Sequence, residues 1–141
     1  MSLVVGGAIA AIGEALRVWT AGHVEKGREV TTSGPYRWTA HPLYLGSSII
    51  GTGLVVATAS WIVALLVASY LAISLTAAMR TEEAELTAKF GDEYREYRHG
   101  RAAGSDRAFS LARVKRNREE RAVVGLVAGM GALALKMLLR I

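Results

Sequence analysis

Apolar residues in this chain come in long blocks, not in the alternating or every-third-residue patterns of a soluble fold. The longest block runs from Pro42 to Met79 without a single Asp, Glu, Lys or Arg. Roughly 20 apolar residues cross a bilayer as a helix, and this block is about twice that. It therefore predicts two spans back to back, at 42–59 and 61–79, joined by almost no loop into an antiparallel hairpin. Pro42 suits the first turn of a helix, where a missing N–H costs nothing, and Trp61 suits an interfacial anchor at the start of the next span. Two further apolar blocks, 3–20 and 122–139, complete a predicted bundle of about four spans. The expected fold is all-α, a single membrane domain over 1–141 with polar connections at 21–41 and 80–121.

Polar and small residues refine this picture. Glu14 and Arg17 interrupt the first block three residues apart, on one helical face where they can pair with each other. Ionisable groups within a span are costly, so these two should face protein or a wet cavity, or else snorkel to the surface. The same interruption, and the lack of a basic stretch before it, make the block a retained span and not a leader peptide. Gly46, Ser47, Ser48, Gly51 and Gly53 line the second span with small residues that let helices approach closely. Gly125 and Gly129 form a GxxxG pattern in the last span, which suits either a homo-oligomer contact or packing within the bundle. The turn Ser33-Gly34-Pro35 breaks the first connection. Arg80 to Tyr97 predicts an amphipathic helix, with Glu82, Glu83, Leu86, Phe90, Tyr94 and Tyr97 three or four residues apart. Tyr94 and Tyr97 are expected to staple it to the bundle.

Charge adds orientation. The chain has 17 Lys and Arg against 12 Asp and Glu, a formal charge of +5. Nearly all the basic residues fall in the two polar connections, which the positive-inside rule places in the cytoplasm, with both termini on the far side. A basic segment at 101–121 beside a membrane gains about 1 kcal/mol per residue from anionic lipid, so lipid is its expected partner and nucleic acid is not. The absence of Cys excludes disulfides, a thiolate nucleophile and Cys-ligated metal, and no metal site is expected. No Gly-rich strand-to-helix fingerprint of the dinucleotide type is present.

Two blocks carry chemistry. The stretch Ser33-Gly34-Pro35-Tyr36-Arg37-Trp38-Thr39-Ala40-His41-Pro42-Leu43-Tyr44-Leu45-Gly46 resembles the signature of the isoprenylcysteine carboxyl methyltransferase and phospholipid methyltransferase group. That signature is a Gly-x-Tyr turn followed by Arg-His-Pro-x-Tyr-x-Gly. After the hairpin come Glu82-Glu83-x-x-Leu86 and Phe90-Gly91-x-x-Tyr94-x-x-Tyr97, similar to the group's second motif. The resemblance covers roughly Arg17 to Tyr97. It implies a multi-pass enzyme that binds S-adenosylmethionine at the cytoplasmic face, in a pocket formed by loops and an amphipathic helix. By motif position, the implied cofactor residues are Arg28, Glu29, Val30, Thr31, Tyr36, His41, Pro42, Leu43, Tyr44 and Glu82. Glu82 would hold the amino group or ribose hydroxyls, Tyr36 and Tyr44 would offer aromatic faces, and His41 would donate to the carboxylate.

The sequence departs from the group at two points. Ala40 stands where an arginine usually precedes His-Pro, and Ala78 where an arginine helps hold the substrate carboxylate; Arg80 is the nearest substitute. No catalytic residue is assigned, since methyl transfer needs mainly alignment in a water-poor pocket. With His41 and Glu82 committed to the cofactor, the expected acceptor is a lipophilic carboxylate entering from the bilayer, as in isoprenylcysteine O-methylation. A phospholipid headgroup amine is the alternative within the group. From other classes, an NADPH-dependent enzyme of the sterol-reductase type and a non-catalytic membrane subunit are the alternatives.

Overall fold

The computed structural model describes residues 1–139 and is all-helical, with no strand among the described residues; the last two residues of the predicted 1–141 domain lie outside them. The elements are α1 (Ser2–Ala21), a 3-10 turn (Gly34–Arg37), α2 (Pro42–Thr58), α3 (Trp61–Phe90), α4 (Asp92–Arg98), α5 (Leu111–Arg116) and α6 (Glu120–Leu139). Three of these, α1, α3 and α6, are long and apolar enough to cross a membrane. The second predicted span, α2, is apolar but shorter at 17 residues, about 26 Å at the helical rise.

Antiparallel packing of α1 against α2 is the tightest contact in the fold, and glycine makes it possible. Gly6 faces Gly53 and Ala57, and Gly13 faces Gly46 and Ile50. A Cβ on Gly6 would stand 2.4 Å from the Gly53 carbonyl oxygen, and one on Gly53 would stand 2.5 Å from the Ala10 nitrogen. Those are backbone atoms, which cannot swing aside. Ala10 and Ala57 fill the remaining space and are buried. Small-residue seams of this kind bring membrane helices together through dispersion contacts between backbones. The predicted hairpin of α2 and α3 is present. Ala59 turns it in the left-handed region at φ 49°, and the Ser60 side chain accepts from Val63 N at 3.5 Å to start α3.

Two details differ from expectation. The amphipathic helix predicted from Arg80 is not a separate element, because α3 continues unbroken from the span to Phe90. The stretch beyond Met79 is rich in Glu, Ala, Leu and Lys and holds no breaker. The break falls at Gly91, whose φ of 49° and ψ of −113° strain any L-residue, and α4 follows.

Glu14 and Arg17 also do not pair with each other. Arg17 reaches across to Glu119 at 2.6 Å and to Ser47, anchoring the base of α6. Glu14 is buried, and neither carboxylate oxygen has a hydrogen-bond partner among the described residues. It lines a cavity of about 280 Å³ between α1, α2 and α6. Gly125 and Gly129 line the same cavity, and nothing lies within 4 Å of where a Cβ would stand on either.

The seam gives a sharp contrast between glycines. Gly53→Leu is expected to destabilise the protein by about 3 kcal/mol or more, the upper end of overpacking costs. Gly125→Leu, at an open position, should stay within about 0.5 kcal/mol of the parent. Helical signal followed through denaturant titration in mild detergent measures both; equal stability of the two variants would refute the seam.

Candidate functional site

A cavity of about 860 Å³ opens where the 24–31 loop, the 3-10 turn, the start of α2, the polar end of α3 and α4 converge. That volume lies within the roughly 300–1,000 Å³ of ordinary ligand pockets. The first sequence block contributes Tyr36, Ala40 and Tyr44, and the second contributes Glu82, Tyr94 and Tyr97. Residues more than forty positions apart in the chain thus face one space.

Local geometry explains how. Gly34 sits at φ 56°, and a Cβ there would lie 2.7 Å from the His23 ring, so only glycine lets the turn close over that buried histidine. Pro35 and Tyr36 are buried behind it. From α4, the Tyr97 hydroxyl donates to the Tyr36 carbonyl at 2.8 Å and lies 3.2 Å from that of Thr39. Of the tyrosine pair expected to staple this helix, Tyr97 makes the hydrogen bonds, while the buried Tyr94 hydroxyl makes none among the described residues. Tyr97 locks α4 against the turn and so closes the cavity from one side. Burial pushes the Tyr97 phenol up to about 12, with the neighbouring Tyr94 adding to it. Burial and then Glu82 raise the Tyr36 phenol further still.

The predicted residues divide. Glu29, Val30, Thr31, Tyr36, Tyr44 and Glu82 line the cavity. Arg28, His41, Pro42 and Leu43 do not. The Arg28 side chain is exposed, with only Glu25 near at 4.0 Å. Leu43 precedes Tyr44 on α2, and adjacent helical residues point about 100° apart. Pro42 is buried in the first turn of α2.

His41 forms a cluster beside the cavity. Its Nε2 lies 2.8 Å from Glu83 Oε1, which also accepts from Arg98 Nη1 at 2.7 Å. Its Nδ1 is buried without a partner, 3.9 Å from Glu82 Oε2. Arg80 is exposed on α3 and takes no part in the wall, so the expected substitute for the missing arginines is not brought to the site.

Sequence reasoning missed Glu25 and Glu85, and with them Lys26 and Lys89, all four of which line the cavity. Glu85 was findable, since a residue three positions after Glu82 shares its helical face. Ala40 and Ala78, the two departures from the resemblance, both lie in the wall. Among the described residues no arginine lines this cavity.

The phospholipid methyltransferase family model matches residues 2–93, more than half of the chain. The chain belongs to the phospholipid methyltransferase family. No curated protein and no solved structure matches it. As a member of a methyltransferase family with three apolar helices long enough to cross a membrane, this is a membrane methyltransferase. The family match takes in α1, α2 and α3, the elements that carry the seam and most of the cavity. It stops short of Tyr94 and Tyr97, and the whole of α5 and α6 lies beyond it.

The staple is testable through pH. A phenol raised on folding keeps its proton after the unfolded chain has lost its own, so stability falls as pH rises from about 10 towards about 12. Tyr97→Phe is expected to lower stability at neutral pH by about 1 kcal/mol through the lost hydrogen bonding. It should also make the alkaline fall shallower, as followed by denaturant titration at pH 7, 10 and 11.

Proposed function

We propose that this protein is an S-adenosylmethionine-dependent methyltransferase whose cofactor and acceptor meet in the 860 Å³ cavity, and that the acceptor is a lipid amine reached from the bilayer. The observation that carries the cofactor reading is the convergence of both motif blocks on that one cavity. Two unsatisfied buried polar atoms at its edge, His41 Nδ1 and the Tyr94 hydroxyl, suit a ligand rich in donors and acceptors. Glu82 would accept from the cofactor's amino group or ribose hydroxyls. Tyr36 and Tyr44 would offer aromatic faces to adenine or to the sulfonium. When bound, the cofactor supplies an electrophilic methyl group on a sulfonium.

The acceptor reading rests on the charge of the walls. Glu25, Glu29, Glu82 and Glu85 face Lys26 and Lys89, and Lys89 Nζ already donates to the Gly27 carbonyl. With alanine at both arginine positions of the motif, little is left to hold an anionic acceptor. An amine acceptor must lose a proton to attack. The carboxylate preference drawn from the sequence assumed His41 and Glu82 were the only bases near. Glu85 also lines the cavity and can take that proton without leaving the cofactor unheld. Methylation of a lipophilic carboxylate stays as the second reading, since Lys26 also lines the cavity.

The four-span arrangement, with α2 crossing a locally thinned bilayer and both basic connections in the cytoplasm, belongs to the same proposal. It sets the cavity at the cytoplasmic end of α2 and α3, where a lipid headgroup can enter beside α3.

Two measurements test the reading. S-Adenosylhomocysteine at a hundredfold excess over its dissociation constant should stabilise the detergent-solubilised protein by about 2.7 kcal/mol. Glu82→Ala should lose most of that, and NADPH should give no shift. Stabilisation by NADPH alone would move the protein to the reductase class, and by neither ligand to a non-catalytic subunit. For the acceptor, transfer of labelled methyl should go to phosphatidylethanolamine vesicles, at a rate that rises with pH. Label entering only a lipophilic carboxylic acid, at a rate flat with pH, would establish the second reading instead.

A further inference from the structure

Residues 105–117 lie beyond the family match, within the basic 101–121 segment whose expected partner is lipid. Four of its polar side chains, Arg107, Arg113, Arg116 and Asn117, instead reach onto the end of α1 and the loop that follows it. Arg107 pairs with Glu29 and lies 3.3 Å from the His23 carbonyl. Arg113 Nε donates to the Gly22 carbonyl at 2.6 Å, and its other nitrogen is 3.8 Å from Glu25. Arg116 reaches Glu25 at 3.2 Å. Asn117 Nδ2 donates to the Ala21 carbonyl at 2.9 Å, and Ser105 N donates to Thr32 Oγ1 at 3.1 Å. The Phe109 ring presses on Gly22 so closely that a Cβ there would lie 2.2 Å from it.

The loop needs such a hold. Between Ala21 and the turn at Gly34 it forms no regular element, and it carries Gly27 at φ 69°. Left alone, it would keep most of its conformational entropy and present no fixed wall. The two carboxylates that the arginines grip, Glu25 and Glu29, are themselves cavity-lining residues. Their charges are therefore balanced from behind the wall, by groups that do not enter the cavity: Arg107, Arg113 and Arg116 are not among its lining residues.

We propose that residues 105–117 act as a strap that fixes one wall of the cofactor cavity, with Arg107 and Arg113 as its positioning residues. Cofactor affinity is then set partly by ion pairs outside the region shared with the family. This rests on the reading that the cavity holds S-adenosylmethionine. Ordering of the strap and binding of the cofactor are coupled, because each lowers the entropic cost of the other.

The test measures S-adenosylhomocysteine binding by calorimetry alongside hydrogen exchange. Arg107→Ala is expected to weaken binding about tenfold, within the range of coupling between contacting groups. Arg107→Lys, which keeps the charge, should recover most of it. Glu29→Gln added to Arg107→Ala should weaken binding no further. Arg101→Ala, which loses only the pair with Glu96, should bind as the parent does. In the parent, ligand should slow exchange across both 22–33 and 105–117, a readout that does not depend on any variant folding. Protection of 22–33 without 105–117, or unchanged affinity in Arg107→Ala, would overturn the strap. No binding and no protection in the parent would overturn the cofactor reading itself.

Discussion

The close approach of α1 and α2 is the constraint from which the rest of this structure follows. Two glycines on each helix, Gly6 and Gly13 against Gly53 and Gly46, let the backbones come within reach of each other's carbonyls. In a bilayer no hydrophobic effect drives helices together, because lipid tails are as apolar as leucine. The association depends on dispersion across a well-matched seam, and a single added side chain would prise it open. The seam also fixes where α1 ends and α2 begins. Those two points bracket the 21–41 connection, which has to fold back over the same end of the bundle.

That connection, α4 and the polar end of α3 enclose the large cavity. Each wall is held by a different interaction. The turn at Gly34 closes over His23, Tyr97 ties α4 to the turn through the Tyr36 and Thr39 carbonyls, and arginines from the C-terminal segment grip the loop. On the α3 side the cavity is lined by Glu82 and Glu85, with Lys89 about one turn beyond Glu85. Its polar walls thus sit at the end of apolar helices. The proposed acceptor, with a lipid tail and an amine headgroup, would meet both halves of that environment.

Much of this was legible in the sequence because the governing pattern is coarse. Uncharged blocks gave the helices and the hairpin, and the small residues of α2 pointed to close packing. The resemblance, through its two motif blocks and the segment before the turn, led to Glu29, Val30, Thr31, Tyr36, Tyr44 and Glu82, all in the cavity wall. What failed were features that depend on direction in space. Leu43 and Arg28 belong to the right segments but point elsewhere. Spacing offers Arg17 its neighbour Glu14, whereas its partner is Glu119, across the bundle. The continuity of α3 through Phe90 was hidden by the change from apolar to charged residues, which alters the solvent and not the helix. The inward turn of the basic segment was hidden for a similar reason. Net charge suggested lipid, but the nearest carboxylates, Glu25 and Glu29, lie in the loop it covers.

The central claim is that the large cavity, and not the smaller one beside Glu14, holds the methyl donor. Ultraviolet cross-linking of labelled S-adenosylmethionine to the solubilised protein, followed by peptide mapping, tests it most directly. The account predicts saturable label, displaced by S-adenosylhomocysteine, on peptides from 24–44 and 78–97. Label on residues 13–17 or 122–129, or label that unlabelled ligand does not displace, would contradict it.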